Sequence, residues 1–471
     1  MATKKDLVEA HAFSRRRLVT AFVSGAPGGR EVEPVRPGRV LIGGVALSVL
    51  LLAGAAIAGF LLGRPPAQWL EKGSFVISKD TGEQYVVLND DEVLQRVPNY
   101  VSAQLLLGDA QLTPSTVRDK YIRGERLGPD LGIEGAPAGL PSSDELVDDG
   151  WTACTGADAG IKVAIQVRPS VEDLIGSAFL VSSEGERWLV ATSPSVGNDQ
   201  GRAYRFPMPT DETDASTLGQ RLGFGATPVE VDADWLNLFP AGDPLDEASF
   251  GIADRGAPVR YTGSGTDLSA YSIGDLLHAP SGDYFLLGDE GPQELSAFAG
   301  QVYAAVVKEQ TEIPESPSAS FDDPGTPPEW PGSMPVAVTG GALCAELHPG
   351  AGGGDPEVSL ATNPTGDAAP DVPRGEHEVV VEPSAGAYVL SGSWEAADGG
   401  TAFVIDTKGE KYRLVGSEVP DFIGYGDVDP PLVPSAWVGF FESGVPLSTN
   451  SARRVPEDAP PPEDDAAEAG S

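Results

Sequence analysis

Residues 40–62, VLIGGVALSVLLLAGAAIAGFLL, form a run of 23 uncharged residues whose single hydroxyl belongs to Ser48. A helix rises about 1.5 Å per residue, so a run of this length is enough for a hydrocarbon core of about 30 Å. Arg39 bounds the run on one side, and Arg64 followed by Pro65 and Pro66 bounds it on the other. Basic side chains anchor a span at the interface, and proline stops the helix. A cleaved secretory signal is the alternative, but its apolar part is only about 7 to 15 residues and lies near the N-terminus. A single transmembrane helix over 40–62 is therefore expected.

Charge orients the span, because lysine and arginine are retained on the cytoplasmic side. Residues 1–39 carry eight basic residues, among them Arg15, Arg16, Arg17 and Arg39, against four acidic ones. The whole chain has a net charge of −39, so the acid lies almost entirely beyond the span. The N-terminus is expected in the cytoplasm and everything after Arg64 outside the plasma membrane. An exterior this acidic lacks the cationic footprint that a phosphate backbone needs, which excludes nucleic acid as a partner. Residues 4–24 read as a basic helix for anionic headgroups or a cytoplasmic subunit, with a topogenic basic tail that makes no specific contact as the alternative.

The two cysteines, Cys154 and Cys344, both fall on the exported side, where oxidation is permitted. A disulfide between them is the expectation, and two free buried thiols the alternative.

One short pattern recurs four times, as VISKDTGEQY from Val76, FLVSSEGERW from Phe179, FLLGDEGPQE from Phe285 and FVIDTKGEKY from Phe403. Each copy places glycine six residues after an apolar position, at Gly82, Gly185, Gly291 and Gly409. An aromatic follows nine residues after that position at Tyr85, Trp188 and Tyr412, where the third copy has Glu294. An apolar strand, a polar turn and a return strand make a β-hairpin. The second and fourth copies share a further stretch, WLNLFPAGDPL from Trp235 and WVGFFESGVPL from Trp437.

Repeats about 100 residues apart are too widely spaced for a solenoid, so the modules are expected to hang on a separate core. The segments between them, including IKVAIQV, QVYAAVV, MPVAVTG and HEVVVEP, supply that core and hold both cysteines. The expected fold class is α+β and membrane-anchored, with one N-terminal transmembrane helix, a central mixed α/β core and four small β-rich repeat modules. The expected domains are 1–39 cytoplasmic helix and linker, 40–62 transmembrane helix, 63–120 first module and 121–175 first part of the core. Then come 176–248 second module, 249–295 third module, 296–400 second part of the core, 401–450 fourth module and 451–471 disordered acidic tail. Within these, 309–333, 349–376 and the tail from Val455 are too rich in Pro, Gly, Ser and acid to fold alone.

Several chemistries are absent from the sequence. There is no GxxxxGK[ST] phosphate loop and no GxSxG nucleophile elbow, and His11, His278, His348 and His377 have no metal-ligand spacing. No cofactor, metal or catalytic residue is expected. Acidic pairs such as Asp148-Asp149 read as solvated surface, and the repeat aromatics as module cores rather than sugar platforms.

The chain resembles the EccB family, the membrane-anchored components of type VII (ESX) secretion systems in actinobacteria. The likeness rests on SRRRLVTAF in the basic helix, the single span, the stretch from Gln84 to Gly108, LGIEGAP from Leu131, WTAC ending at Cys154, the Trp-to-Pro-Leu segments and the distant second cysteine. It implies a structural subunit of the inner-membrane channel, alongside an EccC-type ATPase, EccD, EccE and a mycosin protease, that self-associates through its exported part. It also implies four modules similar to a phage-lysin wall-binding unit around a core joined by Cys154–Cys344. An ATPase activity has been attributed to the family, for which no nucleotide-binding motif is present. A stand-alone wall-binding protein is the alternative reading.

Overall fold

A computed structural model describes residues 3–24, 37–61, 65–195, 198–225, 227–260, 267–307, 311–312, 326–339, 341–363, 371–396 and 399–456. The chain divides into two compact units, 1–67 and 68–471.

The first unit holds two helices, Lys4–Ser24 and Pro37–Leu61. On the first, Arg15, Arg16 and Arg17 are exposed, as are Leu7, Val8, Phe13, Leu18, Phe22 and Val23. The second carries the apolar run, with side chains described over 41–55, all exposed. Among the described residues no helix is long and apolar enough to cross a membrane. The side chain of Arg39 and all of Arg64 lie outside the described residues.

The second unit is a mixed α/β structure with five sheets. Four of them share one wiring: a three-stranded antiparallel meander, then a helix, then a strand parallel to the first strand on its free edge. In the first sheet the meander is Phe75–Ser78, Gln84–Val87 and Val93–Val97, the helix Tyr100–Leu107 and the returning strand Pro114–Val117. The second uses Ser177–Ser183, Glu186–Ser195 and Asn198–Pro207, then Glu212–Arg221 and Val229–Glu230. The third uses Leu276–His278, Tyr284–Leu287 and Pro292–Leu295, then Ala297–Val306 and Thr311–Glu312. The fourth uses Ala387–Gly392, Gly400–Ile405 and Glu410–Arg413, then Val419–Ile423 and Leu432–Pro434. The third sheet thus extends past residue 295, and the fourth begins ahead of residue 401.

Local chemistry sets the helix starts. The side chains of Asn99, Asp211 and Ser296 accept hydrogen bonds from first-turn amides that would otherwise lack partners. Gly108 ends the first of these helices in the left-handed conformation, which glycine adopts without steric cost.

The four sequence copies are all hairpins, but not the same hairpin. Those from Val76 and Phe179 join the first and second strands of their sheets, whereas those from Phe285 and Phe403 join the second and third. In the third sheet the first hairpin is Leu276 to Phe285, with Gly282 six residues in and the aromatic nine residues in. Gly82, Gly185, Gly282 and Gly409 all adopt left-handed φ, between 77° and 97°, and Gly291 does not. Both hairpins of a meander consist of an apolar strand, a polar turn and a return strand, so a ten-residue pattern cannot tell them apart.

The fifth sheet is the core. Its six strands run in the order His377–Val381, Ile161–Ile165, Trp151–Thr155, Leu343–His348, Glu357–Thr362 and Glu172–Asp173. Of the four inter-repeat segments, only IKVAIQV and HEVVVEP join it. QVYAAVV falls in the helix of the third sheet, and Val336–Ala337 of MPVAVTG pairs with the second sheet. The stretch 349–376 is not wholly linker. Glu357–Thr362 lies inside the core sheet because Val358 and Leu360 alternate into the interior, a period that composition averaged over the stretch conceals. Residues 313–325, 364–370 and 457–471, which include most of the acidic tail, lie outside the described residues.

Three apolar clusters connect the sheets. One joins the core sheet to the second and fourth sheets, one joins the second to the third, and one joins the fourth to the first. The second and fourth sheets are therefore covered on both faces. Phe179 and Val181 face one cluster while Ala178 and Leu180 face another, and Phe403 and Val404 divide in the same way. Burial on both faces is why SAFLV and TAFVI are unbroken apolar runs rather than alternating ones.

Candidate functional site

The two faces of the core sheet differ in kind. Along the strand Leu343–His348, Leu343, Ala345 and Leu347 enter the main apolar cluster, so Cys344, Glu346 and His348 share the opposite face. Cys344 sits directly opposite Cys154 on the neighbouring antiparallel strand, with a Cα–Cα distance of 4.0 Å, and the two form a disulfide. Both are buried against Ala361.

Beyond the disulfide the same face becomes polar and titratable. One ligand-type atom from each of Asp173, Glu346 and His348 lies within 4.8 Å of the others. His348 Nδ1 is 3.2 Å from Asp149 Oδ1, and Ser359 Oγ donates to Asp173 Oδ1 at 2.9 Å. Burial, then the neighbouring Asp173 carboxylate, pushes Glu346 up to about 7. The hydrogen bond to Asp149 raises His348, and the same contact holds Asp149 below the usual carboxylate range. His348 has no metal-ligand spacing in the sequence. It is half-buried, and its partners come from residues 149, 173 and 346, too far apart in sequence for any local motif to show.

Tyr85, Trp235, Tyr412 and Trp437 are between 0% and 5% exposed, which removes them as platforms for sugar rings. Tyr85 donates from its hydroxyl to Glu83, and burial followed by that contact pushes it up to about 12. Tyr412 donates to Glu410 and is raised for the same reasons. Trp188 is half-buried with the Arg205 guanidinium over its ring.

The two Trp-to-Pro-Leu segments act as latches on the third strand of their sheets. Gly242 N–H donates to Arg205 C=O at 2.9 Å and Leu245 N–H to Pro207 C=O at 2.8 Å. Gly444 and Leu447 repeat this on Lys411 and Arg413, both at 2.8 Å. Glycine is required because a Cβ at 242 or 444 would lie within 2.4 Å of the ring of Phe206 or Tyr412. The first sheet has the same device, missed in the sequence. Gly128 N–H donates to Leu94 C=O and Leu131 N–H to Arg96 C=O, both at 2.9 Å, and Tyr121 stands seven residues before the glycine as Trp235 and Trp437 do. Tyrosine in place of tryptophan, with only glycine and leucine retained, hid it.

The latches also cross-link the unit. Trp235 Nε1 donates to Ala153 C=O on the core sheet at 3.0 Å, and Trp437 Nε1 to Leu238 C=O of the second latch at 3.2 Å. Trp151 meets Phe441 edge-on, with ring centroids 5.5 Å apart.

Comparison with known proteins gives a consistent result. The family described as "Type VII secretion system ESX-1, transport TM domain B" matches residues 1–461. "ESX-1 secretion system ATPase EccB1" of Mycobacterium tuberculosis is 27% identical over 266 residues, 54% of this chain and 51% of that protein. "ESX-2 secretion system ATPase EccB2" of the same organism is 24% identical over 320 residues, 64% of this chain and 58% of that protein. The chain matches about half the length of these curated relatives. Among solved structures, a chain of the intact ESX-5 inner membrane complex has a TM-score of 0.60 and 21% identity, covering 98% of both chains. The EccB3 dimer from the ESX-3 core complex has a TM-score of 0.59 and 19% identity, covering 81% of this chain and 99% of that one. At these identities the solved structures establish a shared fold.

Proposed function

The chain belongs to the EccB family of type VII secretion subunits, and from that membership we propose that it is a structural subunit of a type VII secretion membrane complex. The observation that carries the reading is the extent of the family match, which runs from the basic N-terminal helix to beyond the latch of the fourth sheet.

In this reading the apolar run 40–62, whose side chains are described only over 41–55, anchors the chain as a single span. Its leucines, isoleucines and valines between 41 and 52 are each 59% to 72% exposed, and so dense an apolar surface is stable only in lipid or against another apolar helix. The basic residues before it hold the N-terminus in the cytoplasm, and the acidic second unit lies outside the membrane, where Cys154 and Cys344 oxidise. The repeat modules and the core are the domains of that exported part. Its partners are an EccC-type ATPase, EccD, EccE, a mycosin protease and further copies of itself.

The role is scaffolding rather than catalysis. The curated relatives are named ATPases, but this sequence supplies no loop of backbone amides to cradle a triphosphate and no lysine placed to follow one. Purification of the tagged full-length chain from its host in mild detergent tests the proposal. Co-purification of an FtsK-like ATPase and multispanning subunits is expected, and recovery of the chain alone overturns it. ATP turnover by the purified full-length chain, absent in a C154S/C344S variant that still folds, would instead favour an enzymatic role for the core.

A further inference from the structure

We propose that Asp173, Glu346 and His348 bind one divalent transition cation of the zinc or manganese class, with Asp149 orienting the imidazole.

Four observations converge on this face of the core sheet. The three groups already present ligand atoms within 4.8 Å of one another, so small side-chain rotations close them on a common ion at about 2.1 Å. His348 Nδ1 is engaged by Asp149, while Nε2 is buried without a hydrogen-bond partner. A carboxylate on one imidazole nitrogen with the other left as a lone-pair donor is the arrangement found around metal-ligating histidines. Ser359 fixes one oxygen of Asp173, which orients that carboxylate. Finally, Glu346 and Asp173 stand together with no lysine or arginine paired to either among the described residues. Their counter-charge is the imidazole of His348 when it is protonated, and a dication offsets the repulsion of the two ionised carboxylates more strongly than that single charge.

The ligand set chooses the ion. Imidazole with two carboxylates suits zinc, manganese or iron(II), whereas calcium prefers six to eight oxygens and magnesium keeps most of its water. Asp173 lies on the edge strand Glu172–Asp173, and Glu346 and His348 lie two strands away beside the disulfide. A bound ion therefore ties the sheet edge to its centre on the face that Cys154–Cys344 already clamps, adding a reversible link to the covalent one.

The test uses full-length protein in detergent, stripped with EDTA and then dialysed against micromolar Zn²⁺ or Mn²⁺ with millimolar Ca²⁺ present to occupy the acidic surface. About one tightly held equivalent is expected by elemental analysis, with a raised unfolding temperature. E346Q and H348Q should each weaken binding tenfold or more, while D289N, in an exposed turn, should bind as the parent does. Mass spectrometry of the intact Cys154–Cys344 bridge confirms that each variant has folded. In the parent, zinc should protect His348 from diethylpyrocarbonate. Absence of saturable binding, binding by E346Q and H348Q as tight as the parent's, or His348 modified equally fast with and without zinc would each overturn the site.

Discussion

Gly444 lies so close to Tyr412 that a Cβ there would come within 2.4 Å of the ring, and Gly242 stands in the same relation to Phe206. These two latches are thus fitted to the aromatic residue of the third strand beneath them. G444A and G242A should each destabilise the second unit by roughly 1–3 kcal/mol through overpacking against a buried ring. G82A, where a Cβ meets nothing within 4 Å but φ is +77°, should cost only about 1 kcal/mol. Denaturant unfolding measures all three, and a G444A protein as stable as its parent contradicts the latch.

Trp437 is fully buried, and its indole N–H satisfies the Leu238 carbonyl. W437F keeps much of the ring volume but leaves that carbonyl without its donor. A loss of about 2 kcal/mol is expected. Because Trp437 and Leu238 belong to different latches, loosening should spread to both the second and fourth sheets, visible as faster amide exchange in each.

Cys154 and Cys344 close a loop of 190 residues. On the chain-entropy model such a link stabilises by up to about 5 kcal/mol. C154S/C344S should unfold at markedly lower urea than the parent, and a reductant should bring the parent down to the variant. A parent indifferent to reductant means that the bond does not constrain the second unit.

Glu346 gives a pH dependence with a defined sign. Its folded value, about 7, lies above the ordinary 4.5, so in that interval the folded chain holds a proton that the unfolded chain has released. With EDTA present, the parent's unfolding temperature should fall relative to that of E346Q as pH rises from about 4.5 to 7. The difference should be independent of pH both above and below that window. Parallel curves from pH 4 to 8 contradict the assignment.

How much of this was legible in the sequence depended on distance along the chain. Hairpins are local, so Gly82, Gly185 and Gly409 with their following aromatics marked real turns. Which hairpin of the meander each represented was decided by pairing with distant strands, such as Ala387–Gly392 with Leu432–Pro434, and no short pattern carries that information. The repeated tryptophan segments were visible because two copies kept five residues in common. The copy at Tyr121 kept only the glycine that avoids a clash and the leucine that fills the core, which are the physical minimum of the device. Cys154 with Cys344 could be anticipated because a chain with only two cysteines leaves few choices. The cluster of Asp149, Asp173, Glu346 and His348 could not, since it exists only once the core sheet has brought three distant segments side by side.

The central claim is that one helix crosses the membrane with the acidic unit outside. Its direct measurement is cysteine labelling in intact cells, with single cysteines introduced at Lys5, on the basic helix, and at Asp289, in an exposed turn of the third sheet. The account predicts that a membrane-impermeant maleimide labels D289C without lysis and K5C only after lysis. Labelling of K5C in intact cells, or protection of D289C until lysis, contradicts it.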